Sequence, residues 1–267
     1  MKKAIIVFLV LYALMTGYSI VAVALGKELF SLFTPLTTLA GFVFALLHAG
    51  RREGWRRALL LLASVFLISL FFESLGVATG LVYGPYHYTD KLGPKFLGLV
   101  PYLIPVAWFM MSYPSFVIAD RLVPAAWNPG KANTAGAGRW LRLLAVAGVG
   151  GLVMTAWDIV MDPVMVYNGH WVWEVEGAYH GIPLQNFWGW WLTVFCSYAC
   201  YLVIAPAAGP EPHPGFDRLA MTSYLVTALG MVLASLFGGA GELGLIGIFT
   251  MFPWVIAGFL KTINPPA

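Results

Sequence analysis

The sequence predicts an all-α, polytopic transmembrane helical bundle, and three observations predict it. Charge is scarce: the 267 residues include 15 Lys or Arg and 12 Asp or Glu, so 10% of the chain is charged, against about 25% in a soluble domain. Hydrophobic types make up 60% and the mean hydropathy is +0.80, more apolar surface than a soluble globule of this size can cover. The apolar residues also gather into eight stretches, each near the roughly 20 residues that a helix needs to cross a bilayer. This composition excludes a soluble enzyme, a disordered chain and a nucleic-acid binder with a basic stripe. Residues 1–267 read as a single integral membrane domain whose partner is the lipid bilayer, with no nucleic acid.

The first predicted span, Ala4–Leu25, follows Lys2 and Lys3, with Ala22-Val23-Ala24 near its end. That pattern resembles a signal peptide with a small-residue cleavage site, but the apolar run is longer than a usual signal core. Retention is expected; cleavage would leave seven spans. The second, Phe30–Ala49, stops at Arg51 and Arg52, and the third, Ala58–Gly80, starts after Arg56 and Arg57. The fourth, Leu99–Ala119, precedes Arg121, and the fifth, Leu143–Val166, follows Arg139 and Arg142. Between them the Gly-, Ala- and Asn-rich stretch 125–138 reads as a flexible connector. The sixth is Phe187–Ala205, the seventh Leu219–Phe237 after Arg218, and the eighth Leu243–Leu260, the shortest, with Pro253 inside it.

Placing the N-terminus inside puts 12 of the 15 basic residues on inner segments and only Lys27, Lys91 and Lys95 outside. Positive charge marks the cytoplasmic side, so the expected location is the cell membrane, with multiple passes. No pair of spans shows the internal similarity of many secondary transporters. Cys196 and Cys200, the only cysteines, share a helix face and read as core packing, without a disulfide framework or zinc spacing.

Three acidic residues fall inside spans: Glu73, Asp158 and Asp162. Insertion scales put a mid-membrane carboxylate at about 2.5–3.5 kcal/mol, so such groups face a cavity or a partner, or stay neutral. The alternating span directions place all three in the outer half. Asp158 and Asp162 are four apart and share a face, which Gly151 and Thr155 continue. Ser69, Gly76 and Gly80 make a similar small face around Glu73. Small residues let membrane helices approach closely, so spans three and five are expected to meet with their acids in a common pocket. Pro163, lacking an N–H, frees a backbone carbonyl one turn earlier and is expected to hydrate or bend the helix there.

Two outer loops are rich in polar aromatics. The first contains Tyr83, Tyr86, His87 and Tyr88. The second, from Asn168 to Asn186, contains His170, Trp171, Trp173, Glu174, Glu176, Tyr179, His180 and Asn186. An interfacial aromatic belt explains the tryptophans, but it explains less well the histidines, glutamates and amides gathered without Lys or Arg. The alternation of Trp171 and Trp173 suggests a short hairpin or re-entrant lid over the pocket.

A histidine-ligated iron centre is disfavoured, because the closest histidines, His170 and His180, are ten apart. A magnesium–diphosphate site would want basic residues beside Asp158 and Asp162, and the adjoining loop has none. No nucleotide-binding glycine loop, nucleophile elbow or haem motif is present. No metal and no cofactor is expected. Acid–base chemistry on an apolar substrate remains: a carboxyl in apolar surroundings can hold and donate a proton, and aromatic faces stabilise a cation. Those parts suit alkene protonation followed by water capture or cyclisation. A proton-coupled transporter using the three acids as a relay, or a non-enzymatic lipid or pigment carrier, are the alternatives.

These motifs resemble the membrane carotenoid-biosynthesis proteins, the family of the CruF-type carotenoid hydratases and bisanhydrobacterioruberin hydratases. The resemblance is carried by Glu73-Ser74-Leu75-Gly76 with Thr79-Gly80, by Tyr83-Gly84-Pro85-Tyr86, and by Leu92-Gly93 and Pro101 to Trp108. It continues through Trp157-Asp158, Met161-Asp162-Pro163, Gly169 to Trp173 and Gly177 through Trp190. It covers roughly residues 70–195, and the ends only as hydrophobic pattern. It implies hydration of a terminal carotenoid double bond to a tertiary alcohol without a redox cofactor, on a long-chain carotenoid, with other carotenoid-pathway enzymes as possible partners. Under that reading Glu73, Asp158 and Asp162 are the catalytic candidates, one as proton donor and another as base. Trp171, Trp173 or Tyr86 shields the cation, and Asn168, Asn186, His87 and His180 orient water. Tyr83, Tyr88, His170, Glu176 and Tyr179 complete the candidate substrate and water site.

Overall fold

In the computed structural model, residues 1–30, 32–124, 137–205 and 213–263 are described. Among these residues, eight helices are long and apolar enough to cross a membrane, and they match the eight expected spans: α1 Lys2–Ala24, α2 Phe33–Arg52, α3 Trp55–Thr79, α4 Leu103–Leu122, α5 Ala137–Tyr167, α6 Leu184–Ile204, α7 Pro214–Phe237 and α8 Gly241–Ile263. The chain is thus a multi-pass, all-α membrane protein. Most of the 125–138 connector lies outside the described residues.

The helices are not equivalent. Nearly three quarters of the α4 span is buried, while α1 is mostly exposed on the periphery, as expected for helices facing protein and lipid respectively. α4 packs against α2, α3, α5, α7 and α8, and α1 leans on α2 and α7. α4 also begins later than the sequence suggests, because Val100–Pro101 (β3) pairs with Lys95–Phe96 (β2) instead of joining the helix. The cysteines are not core residues: Cys196 is half-buried and Cys200 exposed.

Spans three and five are not main packing partners among the described residues, contrary to expectation. α4 and α6 stand between them, since α3 packs on α4 and α6, and α5 packs on those same two helices. The small faces serve different neighbours. Gly151 accommodates the Trp191 indole of α6, and Gly76 accommodates the Tyr83 ring.

A sheet caps the end where α3 and α5 finish. Tyr86–Tyr88 (β1) pairs antiparallel with Trp171–Trp173 (β4), in register Tyr86 with Trp173 and Tyr88 with Trp171. The lid is therefore built from both loops. A local hairpin does form next to it, where Gly177 bridges Gly181 and Tyr179 bridges Ile182.

The opposite end is tied by charge. Arg52 reaches Glu53, Asp120 and Asp217, Arg121 reaches Asp217, Arg142 reaches Asp120, and Arg57 reaches Glu53. The sequence reading singled out three acids in the spans, but Asp217 is wholly buried in the first turn of α7 as well. The arginines supply the partners a buried carboxylate requires, so this network holds helix ends together; removing one member would strand a buried charge.

Candidate active site

At the lid end the three acids are almost wholly enclosed, Glu73 3% exposed, Asp158 0% and Asp162 1%. Glu73 sits near the end of α3 and receives three donors. Tyr86 and Tyr88 hydroxyls both donate to Oε2, the latter at 2.7 Å, and the Trp108 indole of α4 donates to Oε1 at 2.9 Å. The alternation of β1 explains why both tyrosines arrive together, since residues two apart in a strand point to one face. Burial, and then the neighbouring Glu73 carboxyl, push both phenols well above the usual tyrosine range, so both remain protonated donors.

The aspartates lie one turn apart on α5. A single amide joins them: Asn186 Nδ2, at the start of α6, donates to Asp158 Oδ2 at 2.9 Å and to Asp162 Oδ2 at 2.7 Å. The Trp171 indole donates to Asp162 Oδ1 at 2.7 Å. Trp173 approaches the same carboxyl without completing hydrogen-bond geometry. Asp158 Oδ1 is buried and makes no hydrogen bond with the protein. Buried polar atoms are nearly always partnered, so this oxygen stands out. Glu73 is within electrostatic range of both aspartates.

Aromatic rings connect the two groups. Trp108 stacks on Trp190 at 4.1 Å, and Trp157 meets Trp190 edge-on at 5.8 Å. Tyr86 contacts Tyr83, Tyr88 and Trp173, and Tyr88 contacts Trp171. Tyr83 is held by its hydroxyl against Thr193 of α6 at 2.7 Å.

Pro163 has a specific consequence here. It removes the N–H that would bond the Ile159 carbonyl, and the Tyr179 hydroxyl donates to that carbonyl at 2.9 Å. The second loop is thereby fastened to the helix turn between the aspartates.

Of the residues predicted for the site, Glu73, Asp158, Asp162, Tyr86, Tyr88, Trp171, Trp173 and Asn186 converge, with Tyr83 and Tyr179 bracing them. His87, Asn168, Glu176 and His180 do not converge, because they lie exposed on the outside of the lid. His87 pairs there with Glu174, and His180 faces Glu242. In a two-stranded cap alternate residues point outward, which explains His87 between Tyr86 and Tyr88. His170 is partly buried at the rim, and its imidazole is held below the ordinary histidine range by burial. Sequence reasoning assigned no role to Trp108, Trp157 and Trp190. All three occur in the segments carrying the resemblance, and each pairs a large apolar face with one N–H donor, a combination suited to a buried acid site.

Close packing makes the site sensitive at Gly189. A Cβ there would come within 2.6 Å of both the Tyr83 ring and the Val82 carbonyl oxygen. Val82 already holds a positive φ of 72°, unusual for a β-branched residue, so the loop has little freedom to yield. Gly189→Ala is expected to cost about 1–3 kcal/mol through overpacking. Gly17→Ala, in open space on α1, should be neutral or slightly stabilising by helix propensity. Thermal unfolding of the two variants in detergent checks the contrast; equal midpoints would refute it.

A helical membrane bundle with three buried carboxyls beneath an aromatic lid is the class of protein that fold and site define. Residues 33–253 match the carotenoid biosynthesis protein family, and the chain belongs to that family. It is similar to the bisanhydrobacterioruberin hydratase of Haloarcula japonica, 32% identical over 165 residues, which are 62% of this chain and 49% of that protein. The matched region thus spans about half the length of the relative. No solved structure matches the chain.

Proposed function

We propose that this protein hydrates a terminal double bond of a long-chain carotenoid by acid catalysis, in the cell membrane and without a cofactor. Family membership and the hydratase relative support the substrate class and reaction. The observation that carries the mechanism is the unpartnered Asp158 Oδ1, beside a second carboxyl tethered through Asn186.

In this reading Asp158 gives its proton to the less substituted carbon of the terminal alkene, leaving a tertiary cation. The π faces of Trp157, Trp173 and Tyr86 and the Glu73 carboxyl stabilise that cation. Water adds to the cation, its oxygen forming the new C–O bond, and Asp162 takes the released proton. Asn186, bonded to both carboxyls, holds them in place while the proton returns to Asp158. The net change is one water added, with no electrons exchanged.

Expression in a carotenoid-producing host, with pigment analysis by chromatography and mass spectrometry, tests the reading. A product heavier by one water per modified end is expected. A ring-bearing product of unchanged mass would make the protein a cyclase, and unchanged pigment would leave a carrier or binder; either result overturns hydration.

A further inference from the structure

The arginine-rich end carries a feature the hydration reading does not use. A cavity of about 590 Å³ opens between the N-terminal part of α1, the end of α2 and the start of α7, lined by Lys2, Ile6, Arg51, Arg52, His213, Phe216 and Leu219 among others. The cations around it are not alike. Arg52 is committed to Glu53, Asp120 and Asp217. Lys2 and Arg51 have no acidic partner among the described residues.

Among the described residues, the ion pairs at this end set Arg52, Arg57, Arg121 and Arg142 against Glu53, Asp120 and Asp217. Arg51 is also positioned. Its guanidinium lies over the Phe216 ring at 5.7 Å. Phe216 in turn stacks on His48 at 4.1 Å, nearly parallel, and its carbonyl oxygen is bound by His48 Nε2 at 2.9 Å. The cavity therefore combines two cations that have no acidic partner among the described residues, one of them braced against the partly buried Phe216 ring that stacks on His48, with apolar walls from Ile6 and Leu219.

We propose that this cavity binds the phosphate headgroup of an anionic phospholipid from the cytoplasmic leaflet. Lys2 and Arg51 contact the phosphate, and the acyl chains run along Ile6 and Leu219. The positive-inside rule puts this end at the cytoplasmic face, where anionic lipids concentrate and basic pockets between spans recognise them. A purely apolar contact would not need the cations, and a free anion would not need the apolar walls.

The test uses the full chain in detergent, titrated with short-chain phosphatidylglycerol, phosphatidylcholine or inorganic phosphate, read by native mass spectrometry and thermal shift. Phosphatidylglycerol should bind and raise Tm more than phosphatidylcholine. Lys2→Gln with Arg51→Gln should weaken that binding about tenfold. Lys3→Gln with Arg56→Gln, which removes the same charge from the same end outside the cavity, should leave it within about twofold. Equal binding of the two lipids, equal loss in both double variants, or no loss in the first would overturn the proposal. Inorganic phosphate displacing phosphatidylglycerol at comparable concentration would also overturn it in favour of a free-anion site. A Lys2→Gln, Arg51→Gln protein with the parent Tm in phosphatidylcholine shows that lost binding is not lost folding.

Discussion

Asp158→Asn should reduce hydration by about 10²–10⁴-fold, the range contributed by a positioned proton donor, with little change in stability. The substitution keeps size and shape. The new amide oxygen can take the position of Oδ2 and accept from Asn186 Nδ2, as the carboxyl does at 2.9 Å. What disappears is the transferable proton on Oδ1, the oxygen without a partner. Asp162→Asn should cost less if Asp158 is the donor, because water can still attack a cation that has formed. Both variants can be assayed as pigment product in a carotenoid-producing host, normalised to folded protein. Wild-type product from Asp158→Asn would remove the assigned donor, and a larger loss in Asp162→Asn would exchange the two roles.

Much of this architecture was legible in the sequence, because the bilayer imposes a length. Eight apolar stretches of about 20 residues admit few readings, and all eight became helices. Burying Glu73, Asp158 and Asp162 without a role is expensive, so these acids announced themselves as candidates by composition alone. Their lid neighbours were harder to sort. Tyr86, His87 and Tyr88 look alike as polar aromatics, and only pairing with Trp171–Trp173 decides which face the acids. That register joins segments more than eighty residues apart, and nothing local encodes it. The contacts between helices were also hidden. Three and five looked adjacent because both carry acids, whereas the carboxyls approach through side chains from α4 and α6, notably Trp108 and Asn186. The arginine network was half visible: flanking basic residues set the orientation, but the depth of Asp217 follows from packing.

Glu73 invites a sharper experiment, because two substitutions should separate its carboxyl chemistry from its hydrogen bonding. Glu73→Ala leaves the Trp108 indole and the Tyr86 and Tyr88 hydroxyls buried without their acceptor. At about 1–3 kcal/mol for each unsatisfied group, less what the hydroxyls regain by turning elsewhere, the loss should amount to several kcal/mol. Glu73→Gln behaves differently. Its amide oxygen can serve Trp108, an indole able only to donate, while its amide nitrogen faces the two tyrosine hydroxyls, which can rotate to accept. The cage can therefore close around Gln with a modest stability cost, yet without the carboxyl that the proposed mechanism sets against the cation. Hydration by Glu73→Gln should fall about a hundredfold, the scale of losing one preorganised electrostatic partner, while Tm stays near that of the parent. Glu73→Ala should lose Tm and activity together. Wild-type hydration by a folded Glu73→Gln protein would reduce Glu73 to a structural anchor and leave the two aspartates as the whole acid–base apparatus.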